Sequence, residues 1–147
     1  MRLEEEIIQP AFKDEYQKVL INVFYTSSWL QASLSRLFKK YDLTMPQFNL
    51  LRILRGQYPK PATINLLIER MLDKTSNASR LVDKLEAKNL VTRKQCPNDR
   101  RTVDVLITQA GLDLLSRMDE ENIYQAINNL TEPEARQLNL LLDKIRQ

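Results

Sequence analysis

The residues best suited to chemistry fall in two short clusters, Lys74-Thr75-Ser76-Asn77 with Ser79, Arg80 and Lys84, and Arg93-Lys94 with Asp99-Arg100-Arg101. Hydroxyls and a carboxamide both donate and accept, and each guanidinium presents five N–H groups in a fixed fork. That set matches phosphate oxygens and the edges of bases better than it matches any bond-making reaction. Bond-making is narrowed further by what the chain lacks. It has no histidine, which removes Ser-His-Asp and Cys-His catalysis and imidazole metal sites together. Its two glycines, Gly56 and Gly111, cannot build a phosphate-cradling loop or a dinucleotide fingerprint. A single cysteine, Cys96, allows no internal disulfide and fits a reducing compartment. The acidic runs Glu4 to Glu6 and Asp119 to Glu121 are sequential, so their carboxylates diverge around a helix. No catalytic residue, metal site or cofactor is expected.

Placing these clusters requires the rest of the chain. With 147 residues, 43% of them apolar and 28% charged, the composition is that of one globular domain. The net charge of +3 conceals a division: residues 21–101 carry +9, residues 1–20 carry −2 and residues 102–147 carry −4. A concentrated positive field beside short polar side chains suits a phosphate backbone, although a solvated basic face produces the same count. The start, MRLEEEII, is acidic where a secretory signal is basic, and no apolar run exceeds three residues. A cytoplasmic protein with no membrane partner is expected.

Pro10 can open a helix, and apolar residues from Phe12 to Tyr41 recur at steps of three and four, giving one long helix. At ~1.5 Å per residue its roughly thirty residues reach about 45 Å, so part of it is expected to meet a second subunit. Thr44 with Gln47 forms a capping box for a helix carrying Phe48, Leu51 and Leu54 and stopping at Gly56. Gln57 to Ala62, with Pro59 and Pro61, reads as a connection. Thr63 caps a two-turn helix with Ile64, Leu67, Ile68 and Met71, which breaks near Asp73. The next helix buries Ala78, Leu81, Val82 and Leu85, and its opposite face is centred on Ser76, Arg80 and Asp83. Asn89 is a left-handed exit. Leu90–Gln95 and Thr102–Ile107 then alternate as strands around a polar loop, Cys96–Arg101. Thr108 caps a fifth helix with Leu112, Leu115, Met118, Ile123, Ile127 and Leu130, and Thr131 with Glu134 boxes a sixth with Leu138, Leu141, Leu142 and Ile145.

The resulting fold class is mainly α with a small β-hairpin wing: a winged helix-turn-helix with a helical dimerisation region from both termini. Such a helix fits the major groove of DNA, and a hairpin tip with Arg100 and Arg101 fits the adjacent narrow minor groove. A bidentate pair with Asp99 is expected to hold the Arg101 side chain. Taken singly, the polar helix face and the Asp-Arg pair also read as an ordinary solvated surface and a surface salt bridge.

The run Asp99-Arg100-Arg101-Thr102-Val103-Asp104-Val105-Leu106-Ile107-Thr108-Gln109-Ala110-Gly111 resembles the wing signature of the multiple antibiotic resistance regulator (MarR) family. Asp73 to Glu86 likewise looks like that family's recognition helix, and the helix order is similar over nearly the whole chain. Asn89 departs from the family's usual glycine, yet both tolerate a left-handed turn. The resemblance implies a homodimeric regulator, repressor or activator, on a pseudo-palindromic operator in double-stranded DNA, answering to a small molecule or an oxidant. It implies dimerisation helices in 1–42 and 109–147 around a DNA-binding lobe at 43–108. Thr75, Ser76, Asn77 and Arg80 would face bases and phosphates, Arg101 would enter the minor groove, and Lys74, Lys84 and Arg100 would meet phosphates. Ser79, Arg93 and Lys94 complete the expected set. Phe24, Tyr25, Trp29 and Phe48 are candidates for a cleft holding a small aromatic effector, against the plainer reading that they are core. Cys96 lies among Arg93, Lys94 and Arg100, cations that favour a reactive thiolate, against an incidental thiol. The competing functions are a helical dimeric module that does not touch DNA, a redox-sensing regulator through Cys96, and a carboxylate–Mg²⁺ enzyme, which the diverging acidic runs disfavour.

Overall fold

Side-chain caps decide where most of the helices begin. The computed structural model describes residues 1–121 and 125–147 and divides into two compact units, Met1–Leu37 and Phe38–Gln147. The first holds a short helix α1, Leu3–Glu6, and most of α2, Glu15–Lys40. The expectation that Pro10 opens the long helix is corrected: α2 starts after Asp14, whose carboxylate accepts the Gln17 N–H at 2.8 Å while Gln17 accepts the Lys13 N–H at 2.7 Å. An acidic cap satisfies an orphan donor that proline cannot. The 26 residues of α2 therefore reach about 39 Å. Lys18 pairs with Glu4 at 2.5 Å, and the Tyr25 hydroxyl donates to Glu6 at 2.8 Å, tying α1 to α2.

In the second unit α3, Met45–Gln57, begins at the expected box, Thr44 and Gln47 exchanging bonds of 3.3 and 3.1 Å. It does not stop at Gly56, which lacks the positive φ of a left-handed cap; it ends a residue later, ahead of Pro59, whose ring disfavours helical geometry at Tyr58. The expected connection is also shorter. Ala62–Thr63 forms β1, which pairs antiparallel with Val105 and Asp104. The predicted two-stranded hairpin is thus a three-stranded sheet of order β1-β3-β2, with β2 at Val91–Cys96 and β3 at Asp99–Ile107. Between β1 and β2 lie α4, Ile64–Arg70, capped by Thr63 through the Leu66 N–H at 3.2 Å, and α5, Ala78–Ala87. Asn89 leaves α5 at φ 58°, as expected.

The core of this unit is Leu50, Leu51 and Leu54 of α3, Leu67 and Met71 around α4, Val82 and Leu85 of α5, Val91 and Val105 of the sheet, and Leu115 and Met118, all fully buried. Each such side chain contributes roughly 1.5–3 kcal/mol on burial, so this cluster sets the pose of α5 and the sheet. Among the residues assigned to buried faces from sequence, Ile64, Leu81 and Leu112 are only partly covered and Ile68 is exposed.

Helix α6, Gln109–Glu120, starts where Thr108 accepts the Gly111 N–H at 3.1 Å. It does not run on to Leu130: Ile127 sits in a separate 3-10 turn, Gln125–Ile127, and Leu130 is 39% exposed. Ile123, assigned to this helix from sequence, lies outside the described residues. Leu114, not assigned from sequence, is buried beside Leu115. The final helix α7, Glu132–Ile145, opens on the expected Thr131–Glu134 box and buries none of its residues within the chain.

Gly111 has a steric reason to lack a side chain. A Cβ there would stand 2.5 Å from the Leu90 carbonyl oxygen and 2.7 Å from Ile107 Cγ1. The backbone oxygen cannot yield cheaply, so Gly111→Ala is expected to destabilise the fold by about 3 kcal/mol, read from urea unfolding. A change below about 0.5 kcal/mol, the range of an ordinary surface substitution, contradicts that packing.

Candidate nucleic-acid interface

Side-chain oxygens build the turn between α4 and α5. Asn49, buried on α3, accepts the Leu72 N–H at 2.9 Å. Asp73 accepts both the Thr75 N–H at 2.9 Å and the Thr75 hydroxyl at 2.6 Å, and its backbone oxygen takes the Ser76 N–H at 3.2 Å. The Thr75 hydroxyl bond holds the Asp73 carboxyl below its ordinary value. Lys74 donates to the Glu69 carbonyl. Asn77 then caps α5, accepting the Arg80 N–H at 3.0 Å. Thr75 and Ser76 consequently lie in the turn ahead of the helix, which corrects the reading of Ser76 as the centre of its outward face. On α5 itself the exposed residues are Ser79, Arg80, Asp83, Lys84 and Ala87. Among the described residues the side chains of Ser79, Arg80 and Lys84 take no hydrogen bond or ion pair, leaving the donors of Ser79 and Arg80 free beside the positive end of the helix and that of Lys84 free in its last turn.

Only Pro97 and Asn98 separate the strands of the wing. The expected loop Cys96–Arg101 is corrected accordingly: Cys96 ends β2, and Asp99 to Arg101 open β3. Val91–Gln95 pair in register with Ile107–Val103, but Cys96 pairs with Asp99, so Arg100, Arg101 and Thr102 stand outside the ladder. Local polar bonds stabilise this bulge. The Asp99 carboxylate accepts the Arg101 N–H at 2.9 Å and the Thr102 hydroxyl at 3.0 Å, and the Gln95 amide donates to the Arg100 carbonyl at 3.0 Å. Asp99 thus holds the Arg101 backbone and, among the described residues, makes no ion pair with its guanidinium, contrary to the expected bidentate pair; the main-chain N–H is nearer in sequence and needs no rotamer fixed. Lys94, Arg100 and Arg101 are exposed.

Arg93 differs from the other wing cations. Its Nη1 lies 2.5 Å from Asp83, its Nη2 2.7 Å and its Nε 2.9 Å from Glu86. The Glu86 bond foremost, then Asp83, holds the guanidinium further above the ordinary arginine value. It is therefore engaged by α5, whereas the sequence placed it among the DNA-binding residues of the wing. Sequence reasoning missed Asn49, Asp73 and Glu86; the Asp83-x-x-Glu86 spacing, one helical turn, was the available signal for the last.

The four aromatic residues do not share one setting. Phe48 is 5% exposed with its ring centroid 5.1 Å from that of Phe38, a core position and not a cleft wall. Phe24 and Trp29 are exposed, and Tyr25 is half-buried against Glu6. A shallow concavity of about 460 Å³ is lined instead by Glu132, Pro133, Arg136, Gln137 and Leu140 of α7. Cys96 is half-buried at the end of β2. Among the described residues no helix is long and apolar enough to cross a membrane.

Carboxyl groups dominate the acid response. Glu4 is lowered by Lys18, Asp73 by Thr75, Glu121 by Lys40 and Tyr41, and Glu134 by Thr131. A lowered carboxyl stabilises the fold fully above its unfolded value, 3.8 for Asp and 4.5 for Glu, and loses that contribution as pH falls through the folded value. With no histidine in the chain, the melting temperature is expected to stay level between about pH 6 and 8 and to fall below about pH 4.5. A step near pH 6.5 in a calorimetric series contradicts this.

Comparison with known proteins places these elements in a family. A family-wide sequence description, the MarR family, matches residues 43–103, which run from just ahead of α3 through the Arg101 bulge into β3. The HTH-type transcriptional repressor IacR of Pseudomonas putida is 29% identical over 116 residues, covering 77% of this chain and 68% of IacR. Among solved structures, a mutant E. coli MarR complexed with operator DNA superposes with a TM-score of 0.74 at 24% identity, covering 99% of both chains. BpsR of Bordetella bronchiseptica, whose DNA binding is described as regulated by 6-hydroxynicotinic acid, gives a TM-score of 0.72 at 23% identity, covering 88% of this chain and 99% of that one. Residues 43–103 thus match the MarR family as a winged helix-turn-helix, and the chain as a whole has the fold of solved MarR regulators.

Proposed function

We propose that the protein is a sequence-specific DNA-binding transcriptional regulator, a repressor, acting as a homodimer on a pseudo-palindromic operator. The observation that carries this is one lobe presenting two sets of free donors: Ser79 and Arg80 at the exposed start of α5 with Lys84 further along its exposed face, and Arg100 and Arg101 in the bulge of the wing. In this reading Thr75, Ser76, Asn77, Ser79 and Arg80 meet base edges and phosphates of the major groove, Arg101 enters the minor groove, and Lys74, Lys84, Lys94 and Arg100 neutralise phosphates. Asp99 acts by setting the backbone that carries Arg101. The lobe falls in the +9 segment, which favours approach to DNA from a distance. The sign of regulation follows IacR, named a repressor.

Relief by a small aromatic ligand is the accompanying proposal, supported by BpsR's 6-hydroxynicotinic acid and by exposed Phe24 and Trp29. Cys96 is assigned no switch: peroxide is expected to leave operator binding of wild type and Cys96→Ser equally intact, and a loss confined to wild type reverses that assignment.

The test is selection of bound fragments from random duplex DNA. A two-fold symmetric site is expected, with half-site centres about one helical turn apart, because a symmetric dimer presents two groove helices that way. Binding should weaken steeply with salt as counterions are released. No retardation of any duplex at low salt sinks the reading in favour of a dimeric module that does not touch DNA.

A further inference from the structure

Two carboxylates stand where a phosphate-binding surface should have none. Asp83 and Glu86 lie on α5 beside the free donors, and unpaired they would repel the backbone the helix approaches. Both are instead engaged by Arg93 on β2, whose fork divides between them at 2.5 Å to Asp83 and 2.7 Å to Glu86, while its main-chain N–H reaches Glu86 at 3.3 Å.

We propose that Arg93, Asp83 and Glu86 form a clamp that fixes the wing at a set distance and angle from α5, making Arg93 a positioning residue for DNA recognition. The proposal rests on the DNA-binding reading above. A protein that places a helix in the major groove and an arginine in the next minor groove must hold the two at one spacing. Between α5 and β2 the chain runs only through Lys88, Asn89 and Leu90, and past buried Val91 the strand's exposed side turns back toward α5. Arg93 closes this side. Its planar fork can bond two carboxylates one helical turn apart, which the single ammonium of lysine cannot do in the same geometry. The carboxylates lose their repulsion of phosphate in the same contact. Pre-setting the joint removes an ordering cost from binding the correct site, where both contacts are made, and leaves loose phosphate binding untouched.

The experiment titrates full-length wild type, Arg93→Gln, Glu86→Gln and Lys84→Ala against the duplex selected by wild type and against an unrelated duplex of equal length, over a range of salt. Wild type is read first: if it binds neither duplex, the functional reading fails before the clamp is reached. Arg93→Gln is expected to lose about tenfold in affinity for the selected duplex, with affinity for the unrelated duplex and the salt slope both kept. Lys84→Ala, a phosphate contact, should weaken both duplexes and lower the slope by about 1. Glu86→Gln is the decisive variant, because it removes a negative charge near DNA and yet should weaken the selected duplex. Tighter binding by Glu86→Gln, or an Arg93→Gln profile like that of Lys84→Ala, overturns the clamp, as does wild-type affinity in both. Thermal melts of each variant report folding, and should Arg93→Gln not fold, Glu86→Gln alone decides by its direction.

Discussion

Arg101→Ala is expected to weaken binding to the selected duplex by about 1–3 kcal/mol and to relax its preference for A·T pairs next to the major-groove contacts. The size follows from where the residue stands. Arg101 is the middle of three residues outside the strand ladder, with its main-chain N–H tied to Asp99 and its side chain exposed. A guanidinium so placed costs little to bring into a narrow groove, because the backbone beneath it is already fixed and no ion pair must be broken. Narrow A·T-rich minor grooves carry the strongest negative potential, so the preference and the affinity should fall together. Competition titrations with A·T and G·C variants of the flanking steps check it. If affinity drops while base preference stays, Arg101 is a phosphate contact. If neither changes, the wing does not enter the groove.

Local caps were the most legible part of the fold. Thr44 with Gln47, Thr63, Thr108 and Thr131 with Glu134 each begin a helix where their spacing says they should, since the bonds involved span three residues and depend on nothing distant. Asp14 with Gln17 belongs to the same class, four residues after a Pro10 that suits a first turn equally well by type. What the sequence could not express were pairings between remote segments. Two residues, Ala62 and Thr63, carry no periodicity of their own and become a strand only because Val105 and Asp104 lie alongside. Phe48 sits at a helical spacing that suits a ligand wall and a core alike, and Phe38 decides the matter. At the interface the residue types were readable but their duties were not. Asp99 and Arg101 are two apart and opposite in charge, which suggests an ion pair, whereas the carboxylate takes the nearer N–H. Arg93 counts as one more cation until Asp83 and Glu86 are seen to hold it. Such reassignments need coordinates, since a charge's partner is set by the turn that folds the chain back.

The other large effect is expected at α7. Leu138, Leu140, Leu141 and Ile145 remain 44 to 67% exposed, and no residue of the helix is buried within its own chain. On α2, Tyr16, Val19, Leu20, Val23 and Phe24 are likewise 40 to 88% exposed. Apolar surface of this extent on two helices is more than scattered exposed leucines account for, and a homodimer would cover it. Burial is worth roughly 1.5–3 kcal/mol per large side chain, so a glutamate at a covered position forfeits that and adds the cost of a buried charge. Leu138 and Leu141 are one turn apart and appear twice in a symmetric pair, so Leu138→Glu with Leu141→Glu puts four charges into the contact. The double variant is expected to sediment as a monomer at micromolar concentration while keeping the lobe's melting transition. Its affinity for the two-fold symmetric duplex should fall by more than about a hundredfold, because one lobe then binds without the second held nearby, whereas its weak binding to a single half-site should be kept. Sedimentation velocity and half-site titration separate these effects. A variant that stays dimeric assigns α7 to another role, and a monomer that binds the full site as wild type does shows that pairing contributes nothing to recognition.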